Sequence, residues 1–118
     1  MRHESSFLLD IASACRKMEC LIAGTSEAEF LVDEIRPAAI LHHLTVIGEA
    51  IGRLSPALRE RHPEGPWRKL IAVRHRIVHA YFDLDWQILW DACIEDIPIL
   101  HRQILNILAQ EFPADVQD

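Results

Sequence analysis

Hydrophobic residues recur every three or four positions along most of this chain, the spacing that places them on one face of an α-helix. The first such stripe should begin at a cap on Ser5 or Ser6 and end at Gly24, a residue type common just after a helix. Ser26 and Glu29 then have the spacing of a capping box and predict a short second helix. No stretch alternates hydrophobic and polar residues with period two. The pattern therefore predicts helices and no β-sheet.

The rest of the chain continues the helical spacing. Pro37 suits the opening turn of a third helix, whose hydrophobic positions recur at alternating steps of four and three. After a short helical turn at Ser55-Pro56, residues 67–79 and then residues 86–108 also have helical spacing. Pro98 should kink the last helix, because proline removes a backbone donor and crowds the preceding turn. We predict an all-α fold, an antiparallel bundle of about four to five main helices.

The composition is that of one domain with its own core. The chain has 118 residues, close to the commonest domain size, and half of them are hydrophobic. We therefore expect a single domain over residues 1–118 that needs no disulfide or structural metal. Cys15, Cys20 and Cys93 are an odd set without a Cys-x-x-Cys pair, and we interpret them as reduced core residues of a cytoplasmic protein. The N-terminal residues fit neither a signal peptide nor a membrane span.

Charge is distributed unevenly. A net charge of −6 argues against a broad nucleic-acid-binding face. Residues 65–82 nevertheless contain no Asp or Glu, and they hold four of the twelve Lys and Arg residues, namely Arg68, Lys69, Arg74 and Arg76. Such a stretch creates local positive potential and can attract phosphate even on an acidic protein.

Five stretches of the chain between Val46 and Pro98 resemble the HepT group of HEPN domains, and the overall resemblance covers nearly the entire chain. They are Val46-Ile47-Gly48-Glu49-Ala50, Leu54-Ser55-Pro56, Pro66-Trp67, the run from Val73 to Phe82, and Glu95-Asp96-Ile97-Pro98. The central run contains Arg74, His79 and Tyr81 in the order Arg-x-x-x-x-His-x-Tyr. That motif is specific when it occurs with these flanking stretches.

The resemblance implies an all-helical homodimer with two copies of the motif at a shared cleft. It implies the toxin of a toxin–antitoxin pair, a ribonuclease that acts on RNA without a metal or other cofactor. The antitoxin of such a pair is an MntA-like minimal nucleotidyltransferase, which silences the toxin by transferring AMP to the motif tyrosine. By this resemblance Arg74 and His79 are catalytic and Tyr81 is the modified residue. His75 stands where the group has a polar residue, often Asn, and no membrane partner is implied.

The residue types fit that chemistry. Metal-free RNA cleavage needs a base for the 2′-hydroxyl, an acid for the leaving 5′-oxygen and a cation facing the phosphate. An imidazole such as His79 can serve as base or acid near neutral pH, and Arg74 can hold two phosphate oxygens. The expected product is a 2′,3′-cyclic phosphate. Residues five apart on a helix point about 140° apart. The two side chains share a site most easily if the helix ends or bends before His79, or if two subunits each contribute one.

Several further residues are candidates for supporting roles at the predicted site. Glu49 lies midway along a hydrophobic helix, so it either faces solvent or points toward the motif and pairs with an arginine. Gly48 and Gly52, four apart on the same helix, could let another backbone come close. His75 and Arg76 flank the motif arginine and are included as supporting residues of the site.

Less specific interpretations remain open for the motif itself. Arg74 could be a surface arginine paired with an acid on the last helix, and His79 could simply complement the helix dipole. Tyr81 and Phe82 could form a core aromatic pair, which is the interpretation preferred for Phe82. His75 and His79 could hold zinc, but no third ligand is near them in sequence, so no metal site is predicted.

Three functions therefore compete. The first is the ribonuclease toxin. The second is a non-catalytic helical module that binds a nucleotidyltransferase through its basic surface. The third is a zinc-dependent phosphodiesterase, which a chelator would inactivate. The complete Arg74, His79 and Tyr81 set favours the first, because a docking module has no need for all three chemical types.

Overall fold

The computed structural model of the chain describes residues 3–115, and this range contains helices and no strand. The helices are α1 (Glu4–Ile22), α2 (Glu27–Val32), α3 (Arg36–Arg53), α4 (Pro56–Arg61), α5 (Trp67–His79), α6 (Trp86–Asp91) and α7 (Ile97–Glu111). A π-helical turn (Ala92–Asp96) joins α6 to α7, and 3₁₀ turns cover Tyr81–Asp83 and Pro113–Asp115. The predicted all-α class is confirmed.

Two of the predicted helix starts are capped by the side chains that the sequence indicates. Ser26 Oγ accepts from Glu29 N while Glu29 Oε1 accepts from Ser26 N, both at 3.1 Å, so the capping box of α2 is complete. Ser55 Oγ accepts from Leu58 N at 3.1 Å and starts α4. Gly24 follows α1 with a φ of +71°, a conformation that residues with a Cβ rarely adopt.

The predicted start of α1 is wrong. The helix begins at Glu4 after the backbone of His3, and Ser5 is buried inside the first turn. The reason lies outside the local sequence: the carboxylate of Glu4 accepts a hydrogen bond from the backbone of Ser55, which ties the start of α1 to the end of α3. A tertiary contact has displaced the local capping preference.

The four long helices pack in the order α5, α3, α1, α7. α3 packs against α1 on one side and α5 on the other, and α7 packs against α1. α1 and α3 run antiparallel, since Glu4 meets Ser55 at one end while Arg36 Nε donates to the Leu21 carbonyl at the other, at 3.0 Å. The core of the bundle contains fully buried residues of α1, α3 and α7, including Leu8, Ile11, Met18, Ile40, Leu44, Ile47, Ile51, Ile97, Leu100 and Ile104. Each contributes roughly 1.5–3 kcal/mol of burial free energy.

The last helix is disturbed where Pro98 predicts a disturbance. Ala92–Asp96 form a π-helical turn directly before α7, and Pro98 lies in the first turn of that helix. Proline cannot donate to the carbonyl four residues earlier, and wider π bonding rearranges the donors and acceptors in the turn before it. The segment therefore stays helical from Trp86 to Glu111 with one irregular turn.

The predicted core placement of the cysteines is confirmed for two residues and wrong for the third. Cys15 and Cys93 are fully buried, and burial is the main reason that the pKa of each thiol is raised to about 12. Cys20 is exposed on α1, because it lines an open groove between α1 and α3. All three thiols are free.

Contacts around the α4–α5 loop fix the start of α5. Arg61 Nη2 lies 2.6 Å from Glu111 Oε1 at the end of α7, and His62 Nε2 contacts the other oxygen of this carboxylate. The hydrogen bond from Arg61, followed by that from His62, holds the pKa of Glu111 below its ordinary value. Trp67 Nε1 donates to the His62 carbonyl at 2.8 Å, so the first residue of α5 is anchored to the same cluster.

Candidate active site

The helix α5 crosses α3 at Gly48. A Cβ at this position would lie 2.2 Å from Arg74 Cβ and 3.0 Å from the Leu70 carbonyl oxygen, so only glycine permits the approach. The expectation that another backbone comes close is confirmed at Gly48. At Gly52 a Cβ would meet nothing within 4 Å among the described residues.

Arg74 pairs with Glu49 on α3. Its Nη2 lies 3.2 Å from Glu49 Oε2, and Glu49 Oε1 lies 3.4 Å from Nη2 of Arg53. One carboxylate thus serves two guanidinium groups and leaves about one positive charge uncompensated. The interpretation in which Glu49 points toward the motif is confirmed, and the one in which Arg74 pairs with an acid on the last helix is wrong. Lys69 makes such a contact instead, with Nζ 2.6 Å from Asp96 Oδ2.

The Arg74 guanidinium retains free hydrogen-bonding capacity. Its side chain is 34% exposed, and its Nε is buried without a hydrogen-bond partner among residues 3–115. A guanidinium has five N–H donors in a fixed plane, and the contact with Glu49 uses few of them. The group is therefore held at its base by α3 while its outer donors remain available to an anion.

His75 and His79 lie one helical turn apart on α5. Their ring centroids are 4.3 Å apart, and both side chains are exposed. Within residues 3–115, no third His, Cys, Asp or Glu groups with them in a geometry that could hold a metal ion. The site of one chain thus presents two adjacent imidazoles to solvent.

Arg74 and His79 do not converge within one chain. α5 is a regular helix up to and including His79, and Ala80 follows as its C-cap, so the predicted helix end near His79 is confirmed and no bend separates Arg74 from His79. Along a continuous helix the two side chains leave the axis about 140° apart. Arg74 accordingly points to α3 and its Glu49, whereas His79 lies beside His75. A site that both residues share within one chain would need an end or bend of α5 before His79, which this helix does not have.

Tyr81 and Phe82 project from the turn that follows α5. Tyr81 is 54% exposed and Phe82 is 97% exposed, with ring centroids 5.6 Å apart in an edge-to-face arrangement. The core aromatic interpretation, preferred for Phe82 and left as an alternative for Tyr81, is therefore wrong. The chain changes direction at Ala80 and continues as a 3₁₀ turn, which directs both rings away from the bundle. The Tyr81 hydroxyl forms no hydrogen bond within the described part of the chain and is open to a modifying group.

Sequence reasoning missed part of this surface. Val78 on α5 and Ile88 on α6 are about half exposed near the motif, and Arg76 lies over a small crevice that Leu84 and Ile88 also line. Together with Tyr81 and Phe82, Val78 and Ile88 form what we call the apolar rim of the motif. Arg53 was also missed, although it stands four residues after Glu49, a spacing at which helical side chains pair.

Comparison with known proteins gives the class and then the family. The chain matches a family described as "Ribonuclease HepT-like" over residues 11–107. It is 35% identical over 99 residues to a protein of Thermococcus cleftensis named "Probable ribonuclease HepT", which covers 84% of this chain and 90% of that protein. It is 30% identical over 111 residues to a protein of Caldanaerobacter subterraneus subsp. tengcongensis named "Putative RNase TTE0752", which covers 94% and 99%. No solved structure matches the chain.

The family match covers most of the length of this all-helical domain. It identifies the chain as a member of a ribonuclease family. The chain belongs to the HepT-like ribonuclease family. The resemblance to the HepT group drawn from the motif stretches is thereby confirmed. Within residues 3–115, no helix is long and apolar enough to cross a membrane.

Proposed function

We propose that this protein is a metal-independent endoribonuclease that acts as a homodimer. The observation that carries the proposal is the state of Arg74, whose guanidinium is held by Glu49 yet keeps free donors, five residues before an exposed His79. Membership of the HepT-like ribonuclease family and the names of the relatives support RNA as the substrate. An RNA substrate and three free cysteines support a cytoplasmic location.

The proposed reaction is an internal transesterification. One imidazole removes the proton of the ribose 2′-hydroxyl, and the 2′-oxygen attacks the adjacent phosphorus. The bond from phosphorus to the 5′-oxygen breaks, and a second proton donor protonates that oxygen. The products are a 2′,3′-cyclic phosphate and a free 5′-hydroxyl. The charge that develops on the non-bridging oxygens is stabilised by Arg74 through its planar donors.

The proposed active unit is a dimer for geometric reasons. Arg74 and His79 leave α5 about 140° apart, so one chain does not place both on the same phosphate. The apolar rim of Val78, Tyr81, Phe82 and Ile88 is exposed beside the motif, and surfaces of this kind commonly mark a contact with another protein. A twofold pairing through this rim would bring Arg74 of one subunit toward His79 of the partner, where the neighbouring His75 of that partner would supply the second imidazole for acid and base work.

The test is an assay of the purified protein on a defined RNA. We expect cleavage that is unchanged in excess EDTA, with fragments that end in a 2′,3′-cyclic phosphate by mass spectrometry. Loss of activity on chelation, restored by zinc, would favour the phosphodiesterase alternative. If the protein binds a nucleotidyltransferase but cleaves no RNA, the non-catalytic docking module is the better description.

We further propose that the protein is the toxin of a toxin–antitoxin pair, silenced when an MntA-like nucleotidyltransferase transfers AMP to Tyr81. Exposure of the Tyr81 ring and the lack of a hydrogen bond to its hydroxyl within residues 3–115 support this. The phenolic oxygen would attack the α-phosphorus of ATP and release pyrophosphate. The added nucleotide would occupy the space of the RNA and repel its phosphates.

Replacing Tyr81 by Phe should leave RNA cleavage within about twofold of the wild type, because the hydroxyl has no part in the proposed chemistry. The variant should resist silencing when the nucleotidyltransferase and ATP are added. Cleavage rate and the mass increase of one AMP per chain measure the two effects. Arg102→Gln, an exposed substitution on α7 outside the apolar rim, serves as the control, since it keeps the Tyr81 hydroxyl and should still be modified and silenced. Silencing of the Tyr81 variant would contradict the assignment.

A further inference from the structure

A groove with positively charged walls lies between α1 and α3. Its volume is about 370 Å³. The residues that line it are Arg16, Lys17, Cys20, Leu21, Ala39 and His43. We call it the basic groove. It is open to solvent along its length, so an extended chain could lie in it as readily as a small molecule.

The positive charges of the basic groove are not compensated by the described part of the protein. Arg16 and Lys17 are exposed, and neither forms an ion pair with residues 3–115. The Asp33 carboxylate is already bound by Arg36, whose Nε donates to the Leu21 carbonyl at the end of the groove. Arg16 and Lys17 therefore place two uncompensated cations side by side on one wall of the groove, which creates local positive potential on a chain of net charge −6.

Two histidines lie beside these cations, and the positive charge affects the pKa of one of them. The rings of His42 and His43 are 5.2 Å apart in an edge-to-face arrangement. Partial burial, and then the charges of His42 and Lys17, lower the pKa of His43. At neutral pH a neutral imidazole can still donate one hydrogen bond to a phosphate oxygen.

The basic groove lies on the side of α3 away from the motif. Ala39 and His43 are about 180° and 140° around the α3 axis from Gly48, where Arg74 packs. They are also roughly 14 Å and 8 Å along the axis from it. The body of α3 therefore separates a ligand in the groove from Arg74. An RNA that extends past the motif could reach the groove around the α3 helix.

We propose that the basic groove binds backbone phosphates of the RNA substrate at a distance from the cleaved bond. The proposal rests on the proposed function, because it takes RNA as the ligand. Two adjacent cations and a histidine donor suit phosphodiester oxygens, and an open groove without Phe, Tyr or Trp in its lining suits the backbone better than bases. The groove would supply affinity and no sequence preference, so long RNA would be preferred over short RNA.

The test uses binding and cleavage together. In the inactive His79→Ala background, Arg16→Gln/Lys17→Gln should bind a fluorescent single-stranded RNA roughly tenfold more weakly, and the salt dependence of log K should become shallower by about 1.4. In the active protein the same pair should raise KM for that RNA by a similar factor and leave cleavage of a dinucleotide unchanged. Fluorescence anisotropy and initial rates measure these effects.

Two controls separate this site from bulk charge. Arg16→Lys/Lys17→Arg keeps both charges and should retain affinity, and Arg102→Gln removes an exposed cation of α7 and should change binding little. Unchanged RNA affinity in the neutralised pair, or an equal loss in Arg102→Gln, would overturn the proposal. The proposal would also be overturned if Arg16→Gln/Lys17→Gln kept its RNA affinity but no longer bound the nucleotidyltransferase. Weaker RNA binding with no cleavage by the wild type would support the groove while refuting the nuclease.

Discussion

Replacing either Arg74 or His79 by Ala should lower kcat/KM for RNA cleavage by roughly 10²- to 10⁴-fold. His79→Ala removes the group proposed to transfer protons, and Arg74→Ala removes the charge proposed to face the phosphate. The folded state should change little, since His79 is exposed and Glu49 keeps Arg53 as a partner after Arg74 is lost. Initial rates on a defined RNA measure the effect. Growth arrest on expression should disappear in both variants.

The matched control for this pair is Arg102→Ala, which removes an exposed arginine from α7 and should keep wild-type rates. Circular dichroism and thermal unfolding of all variants would exclude misfolding as the cause of a loss. An Arg74→Ala enzyme that cleaves at the wild-type rate would remove Arg74 from the chemistry. The exposed surface of α5 would then be better explained as a docking face.

The helix boundaries follow from local chemistry, which is why sequence predicts them well. Ser26 and Glu29 satisfy the free backbone donors of α2 within three residues, and Ser55 does the same for α4. At Ser5, local chemistry does not determine the helix boundary. Its hydroxyl could cap a helix. The start of α1 is set instead by a hydrogen bond from the backbone of Ser55, at the end of α3, to the Glu4 carboxylate fifty-one residues earlier.

Exposure is less predictable than helicity. Cys20 and Phe82 are apolar residue types in helical or turn patterns, and sequence favours the core for both. Whether such a side chain is buried depends on which neighbouring element covers its face, and this is a property of the assembled bundle. Phe82 follows a change of chain direction at Ala80 that leaves nothing over the ring within residues 3–115.

The arrangement of the candidate site residues could be predicted only in part. Sequence offered Arg74 either Glu49 or an acid of the last helix. The close approach at Gly48 decides for Glu49, because it brings the base of the Arg74 side chain onto α3. The relation of Arg74 to His79 depended on where α5 ends. A helix that continues to His79 keeps the two apart in one subunit and makes the dimer the central question.

A heterodimer of an Arg74→Ala chain and a His79→Ala chain should regain about half of the wild-type activity, although each homodimer is inactive. In a shared cleft, one site of this heterodimer receives both mutations and the other receives none. Two affinity tags on co-expressed chains allow the heterodimer to be purified, and its rate per dimer is the measurement. The expected gain over either homodimer is at least roughly tenfold, given the losses expected for the single variants.

The reciprocal heterodimer makes the test decisive. When wild type is paired with a chain that carries both Arg74→Ala and His79→Ala, a shared cleft leaves each site with one missing residue, so activity should be lost. If each subunit instead completes its own site, this pairing keeps about half of the activity and the first pairing stays inactive. The two geometries thus predict opposite outcomes for dimers of identical composition. Activity in the second pairing alone would require α5 to unwind before His79, since a regular helix holds that side chain about 140° from Arg74.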